Sequence, residues 1–99
     1  MAKRKVTWTK RATLQFNSAI SLIRKDSDQN ADKVKEKILD KINDLSDDIA
    51  VHRKDPYKKN NDGNYLYFEI LKYRIAYYAE LKEVFIIRIR HTSKEPKSY

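Results

Sequence analysis

Cysteine is absent from this 99-residue chain, glycine occurs once and histidine twice. Without cysteine there is neither a disulfide framework nor a thiolate zinc site, and a reducing cytoplasm is the natural compartment. Two histidines do not make a typical structural zinc site, so neither a metal nor a cofactor is expected. No glycine-rich phosphate loop, serine-histidine-acid arrangement or paired-carboxylate motif can be read, which argues against hydrolases built on those devices. Long apolar runs are missing too. Val84 to Ile87 is far short of a bilayer span, and the basic start Met1-Ala2-Lys3-Arg4-Lys5 has no hydrophobic segment behind it. The expectation is one soluble, cytoplasmic domain over residues 1–99, with a core adequate without metals or disulfides and no membrane role.

What the chain has in excess is positive charge, +8 from 22 Lys and Arg against 14 Asp and Glu. The charge is uneven. Residues 1–25 carry seven bases and no acid, residues 26–50 four bases and eight acids, and the remainder eleven bases and six acids. One helix is therefore expected to be acidic and the rest of the molecule positive, a field that favours polyanionic partners, either nucleic acid or an acidic protein. Plain solubility is the bland alternative.

Lys5-Val6-Thr7-Trp8 reads as a short strand ending at Thr9, whose hydroxyl can cap a helix carrying Ala12, Phe16, Ala19, Ile20 and Ile23 at helical spacing. That helix should end near Lys25. Ser27 or Asn30 can cap a second, with Ala31, Val34, Ile38, Ile42 and Leu45 as its apolar stripe, and a linker over Asp26 to Asn30 makes the two a hairpin. Residues 46–64 show no period but hold Pro56, the Asp62-Gly63 turn and the basic groups His52-Arg53-Lys54 and Lys58-Lys59; such loops are usually functional or disordered. Tyr65 to Leu71, Tyr73 to Ala79 and Val84 to Arg90 then read as an antiparallel meander. The predicted fold is α+β, β-α-α-β-β-β, with the helix pair on one face of the sheet.

Strand alternation separates the two sheet faces. Leu66, Phe68, Ile70, Ile75, Tyr77, Phe85, Ile87 and Ile89 are expected to face the helices. Tyr65, Tyr67, Glu69, Arg74, Ala76, Tyr78, Ile86, Arg88 and Arg90 take the open face. Arginine forks pair with phosphates and tyrosine rings stack on bases, which suits single-stranded RNA. The same composition also follows from the β-propensity of tyrosine and from arginines snorkelling along a sheet, and that reading stands slightly ahead. His91 follows the last strand and exchanges a proton near neutral pH, though a lone histidine at a strand end is more often a hydrogen-bonded structural residue.

Trp8-Thr9-Lys10-Arg11-Ala12, the hairpin end Ile42-Asn43-Asp44-Leu45, Lys72-Tyr73-Arg74-Ile75-Ala76-Tyr77 and Ile87-Arg88-Ile89-Arg90-His91-Thr92-Ser93-Lys94-Glu95-Pro96 resemble, in order and spacing, the RelE/ParE toxin superfamily over nearly the whole chain. The resemblance implies the toxin half of a type II toxin-antitoxin pair, whose antitoxin wraps it and whose release arrests growth. Its members share one fold between two activities, so fold does not decide between them. RelE-like members cut messenger RNA in the ribosomal A site, and ParE-like members poison DNA gyrase without a nuclease site.

By that resemblance Arg74 matches the phosphate-stabilising arginine of the RelE-like strand motif, Tyr99 lies near their C-terminal catalytic tyrosine, and His91 near a histidine some of them use. Lys54, Lys58, Lys59, Arg88 and Arg90 are the accompanying RNA-binding candidates. One departure is that the lysine pair of RelE falls near the apolar Leu66 and Phe68. Ribosome-dependent mRNA cleavage is the favoured expectation, with ribosome and mRNA as partners. Gyrase inhibition is the alternative, and a nuclease-dead antitoxin-binding protein the third reading. The antitoxin is expected on apolar surface beside the helix hairpin and the sheet edge.

Overall fold

The computed structural model describes residues 3–47, 52–94 and 97–99. Strand β1 (Lys5–Trp8) leads into helices α1 (Lys10–Asp26) and α2 (Asp28–Asn43), and a 3-10 turn follows at Asp44–Ser46. Strands β2 (Arg53–Lys54), β3 (Tyr65–Ile70), β4 (Tyr73–Ala79) and β5 (Glu83–His91) complete the described elements. They form a mixed sheet in the order β1-β5-β4-β3-β2, with β1 parallel to β5 and the other pairs antiparallel. The expected α+β architecture is present, and it gains a two-residue strand inside the segment expected to lack regular structure.

Local chemistry sets the helix boundaries. Thr9 Oγ1 accepts from the Ala12 amide at 3.2 Å and donates to the Ile86 carbonyl at 2.7 Å, so one hydroxyl both caps α1 and ties it to β5. The expected five-residue linker shrinks to Ser27 alone, which ends α1 and caps α2 by accepting from the Asn30 amide at 3.1 Å. The stripes Ala12, Phe16, Ile20 and Ala31, Ile38, Ile42 then bury against Phe68, Tyr73, Ile75, Tyr77, Val84, Ile86 and Ile89. The expectation of one acidic helix is not met. α2 carries four acids and four lysines, and the excess acids lie around its ends at Asp26, Asp44 and Asp47, with Asp48 outside the described residues.

Face assignment holds through β3 and β4 and fails in β5. Ala76 pairs with Arg88 but Tyr77 with Ile86, so Ile87 is an extra residue opposite that step. Such a bulge reverses the alternation on its far side. Val84 and Ile86 are consequently buried at 0% exposure on the helix face, while Phe85 and Ile87 are half-buried. Phe85, Ile87 and Ile86 are thus corrected, whereas Arg88 and Arg90 keep the open face because they lie beyond the bulge.

The β3–β4 turn consists of Leu71 and Lys72, both at positive φ (51° and 68°). Two-residue hairpins favour that left-handed pair because its twist matches the strands, although the usual residues there are Asn and Gly.

Candidate functional site

A fully buried carboxylate organises the open face. Asp55 follows β2, donates its amide to the Tyr65 carbonyl at 2.8 Å, and has a side chain with 0% exposure. Its Oδ1 accepts from the Tyr57 amide at 3.0 Å, and its Oδ2 from the Tyr99 hydroxyl at 2.6 Å. Asn61 closes the loop around it, with Nδ2 donating to the Asp55 and Tyr65 carbonyls at 3.2 and 2.9 Å and Oδ1 accepting from the Gly63 amide at 2.8 Å. Gly63 sits at φ 101°, where a side chain would be strained. Residues 55–65 are therefore ordered by side-chain-to-backbone hydrogen bonds rather than by periodic structure.

Arg74 lies beside this carboxylate. Its Nη2 is 3.5 Å from Asp55 Oδ1, an ion-pair contact without hydrogen-bond geometry, so Nε and Nη2 are buried without a hydrogen-bond acceptor. Nη1 donates to Glu69 Oε2 at 3.2 Å, and the guanidinium rests 3.6 Å from the Tyr67 ring centre and 4.7 Å from that of Tyr57. Arg88, 5% exposed, donates to the Lys97 carbonyl at 2.6 Å and covers the Tyr99 ring at 4.0 Å. Burial lowers its pKa, which Tyr99 and Asp55 oppose and Arg90 and Arg74 reinforce.

Tyr99 is held along its whole length. Its amide donates to the Tyr57 carbonyl at 2.8 Å, and its carbonyl accepts from the Lys59 amide at 2.6 Å. The Lys58 ammonium lies 4.7 Å from the Tyr65 ring centre and 5.7 Å from that of Tyr99. Burial, followed by the hydrogen bond to Asp55, pushes the phenol pKa well above its ordinary value.

Arg74, Tyr99, Arg88, Lys58 and the Lys59 backbone thus meet around Asp55. Lys54 does not join them, because it pairs with Leu66 and so stands by register on the helix face. His91 is the last residue of β5 rather than beyond it. It pairs with Tyr73 on the helix side, sets its ring edge-on to that tyrosine at 5.1 Å, and accepts at Nδ1 from the Ser93 amide at 3.0 Å. Asp55, Tyr57 and Asn61 were missed in the sequence. The available signal was one acid followed by proline inside an otherwise basic stretch.

The family model for the ParE toxin of the parDE type II toxin-antitoxin system matches residues 6–96. The chain belongs to the ParE toxin family. A solved structure of a chromosomal ParDE toxin-antitoxin system from P. aeruginosa matches 90% of this chain and 96% of that chain, with a TM-score of 0.70. At 15% identity that likeness concerns the fold. No curated protein sequence matches the chain. ParE membership makes an antitoxin the partner of this toxin.

Two hollows flank β5 at its His91 end. One, about 230 Å³ on the open face, is walled by Tyr57, Glu69, Arg74, Arg88, Arg90 and Lys94, with His91 and Thr92 at its border. The other is a groove of about 570 Å³ between α1 and the β4–β5 end, with Leu14, Ala19, Leu22, Tyr73 and Ile89 in its walls and Arg90, His91 and Lys94 at one side. Leu14 and Leu22 are 58% and 65% exposed, two apolar side chains of α1 that lie outside its buried stripe. Among the described residues no group of His, Asp and Glu is placed to hold a metal ion, and no helix is long and apolar enough to cross a membrane.

Proposed function

We propose that this ParE-family toxin arrests growth in the cytoplasm by binding DNA gyrase, and not by cleaving messenger RNA. The observation that carries the reading is the commitment of Tyr99: its hydroxyl donates to the buried Asp55 and its pKa is raised. Cleavage of RNA needs a group that takes the 2′-hydroxyl proton, one that returns a proton to the leaving oxygen, and a cation on the phosphorane. A phenol with a raised pKa is a poor proton carrier near neutrality. Arg74, the cation for that chemistry, is shared between two carboxylates and two tyrosine rings. His91 turns its ring toward Tyr73 and engages Ser93. Each group has a structural occupation, which suits a binding surface better than a nuclease site.

Substitution of His91 separates the readings in cells. Induced His91→Ala protein should arrest growth as the parent does, with full-length messages, because the histidine has no chemistry to perform. A ribonuclease using His91 as its proton carrier would lose roughly 10²-fold or more in cleavage. Loss of growth arrest in a folded His91→Ala variant together with disappearance of cleaved mRNA would contradict the gyrase reading.

For the antitoxin, the groove between α1 and the sheet offers exposed leucines beside Arg90 and Lys94, a surface suited to an amphipathic segment with acidic flanks. Leu22→Lys should weaken antitoxin binding by at least about tenfold while leaving the fold intact, since truncating or charging a central apolar anchor typically costs about 2 kcal/mol or more. Isothermal titration against the antitoxin reads this directly. Unchanged affinity would move the docking site elsewhere.

A further inference from the structure

Phe85 and Ile87 are turned by the β5 bulge onto the sheet face that carries no helix. Phe85 there completes a line of directly paired residues across four strands, with Thr7 of β1 on one side and Tyr78 of β4 and Tyr65 of β3 on the other. All four, and Ile87 beside them, are half-buried. A sheet with one face against its helices commonly sets polar residues on the other, and this line departs from that pattern. Part of it has a structural explanation. Tyr65 and Tyr78 pack edge to face at 4.7 Å, a cross-strand pair that stabilises the sheet, and the Tyr99 ring stands edge-on to Tyr65 at 6.5 Å. Phe85 and Ile87 have no such explanation, because neither belongs to the core under the helices. Bulges recur where a strand re-aims a side chain toward a site.

An apolar line of this kind has the composition of a protein interface. Aromatic residues are enriched at interface centres and bring a large contact area for only two side-chain torsions. The charges along its border define the partner. Lys5 is exposed at the β1 edge, Arg53 is exposed and shares the open face through its pairing with Tyr67, and the Lys58 ammonium lies 4.7 Å from the Tyr65 ring centre. Glu83, the acid at this border, accepts from the Thr7 hydroxyl. A partner surface with an apolar centre and an acidic rim complements that arrangement. The groove assigned to the antitoxin lies elsewhere, between α1 and the helix side of β5, so the line is a separate surface.

We propose that the line of Thr7, Phe85, Tyr78 and Tyr65, with Ile87 beside it, is the surface through which the toxin grips gyrase, against an apolar patch of the enzyme rimmed by acidic residues. The proposal rests on the gyrase reading and adds to it the face of the toxin that makes the contact.

The test compares binding of the purified toxin to immobilised gyrase holoenzyme with its binding to the antitoxin. Phe85→Ser and Ile87→Ser, each with its fold checked by a thermal melt, should bind gyrase at least about tenfold more weakly than the parent. Both should keep antitoxin affinity within about twofold of the parent, a readout that unfolding would not spare. Leu71→Ser makes the same kind of change at an exposed leucine of the β3–β4 turn, outside the line, and should bind gyrase within about twofold of the parent. Association of the parent with gyrase should slow as salt is raised from about 50 to 200 mM. If the parent binds gyrase and folded Phe85→Ser and Ile87→Ser bind it equally well, the line is not the contact and the gyrase reading stands. A parent that does not bind gyrase would overturn both. An equal or larger loss of antitoxin binding in the two line variants would assign the line to the antitoxin, and an equal loss of gyrase binding in Leu71→Ser would deny the line any special part; either overturns the proposal. Salt-independent association would overturn the acidic rim.

Discussion

Asp55→Ala should lower the free energy of unfolding by about 3–5 kcal/mol, the usual loss when one partner of a buried charge pair is removed. The carboxylate is fully buried, so solvent screening does little to reduce the effect. Its removal leaves the Arg74 guanidinium, already short of acceptors at Nε and Nη2, without its inner counter-charge. It also strips the Tyr57 amide and the Tyr99 hydroxyl of their acceptor. Tyr99→Phe removes only the hydroxyl and should cost about 1–3 kcal/mol, since Asp55 keeps its other partners. Because small domains have only about 5–15 kcal/mol in all, Asp55→Ala should fold poorly near body temperature. Urea unfolding measures both variants. A loss below about 1 kcal/mol for Asp55→Ala would mean that the carboxylate is not the hub of this face.

Ile86→Lys and Ile87→Lys should differ sharply although the residues are neighbours. Ile86 is fully buried under the helices, opposite Tyr77, and accepts from Thr9 at its carbonyl. A lysine there puts an unpaired ammonium into an apolar core, a cost of several kcal/mol, enough to abolish folding. Ile87 is the bulged, half-buried residue, and lysine in its place should cost about 1 kcal/mol, the apolar area lost by a partly exposed side chain. Soluble yield and thermal melts read the contrast. If Ile86→Lys were tolerated and Ile87→Lys were not, the bulge would be misplaced.

That pair of isoleucines also marks where the sequence stops being legible. Helix caps and stripes depend on neighbours within a few residues, so Thr9, Ser27 and the apolar residues of α1 and α2 could be read directly. Ile75 and Tyr77 could be read because β4 alternates without interruption up to the bulge. β5 alternates equally well on paper, but nothing local in Val84-Phe85-Ile86-Ile87 announces an inserted residue. The bulge becomes visible only in its pairing with β4, and it exchanged the faces of Phe85, Ile86 and Ile87.

Asp55 was hidden for a related reason. Its partners Arg74 and Tyr99 lie 19 and 44 residues away, and an isolated acid between lysines reads as solvated surface until those contacts exist. Arg74 and Tyr99 could be singled out as belonging to one site, but the carboxylate that joins them could not. That carboxylate ties both candidates into one network, in which Arg74 Nε and Nη2 still lack a hydrogen-bond acceptor. Lys54 stands apart from Asp55 because its two-residue strand pairs it with Leu66, and so short a strand leaves no periodicity to read.

Action on gyrase without cutting of RNA is tested by titrating the purified ParE-family toxin into a gyrase supercoiling reaction, with purified ribosomes carrying a programmed A site treated in parallel. Supercoiling should stop, with cleaved DNA accumulating as the toxin is raised, while the message on the ribosome stays whole. Intact supercoiling together with a message cut in the A site would contradict it.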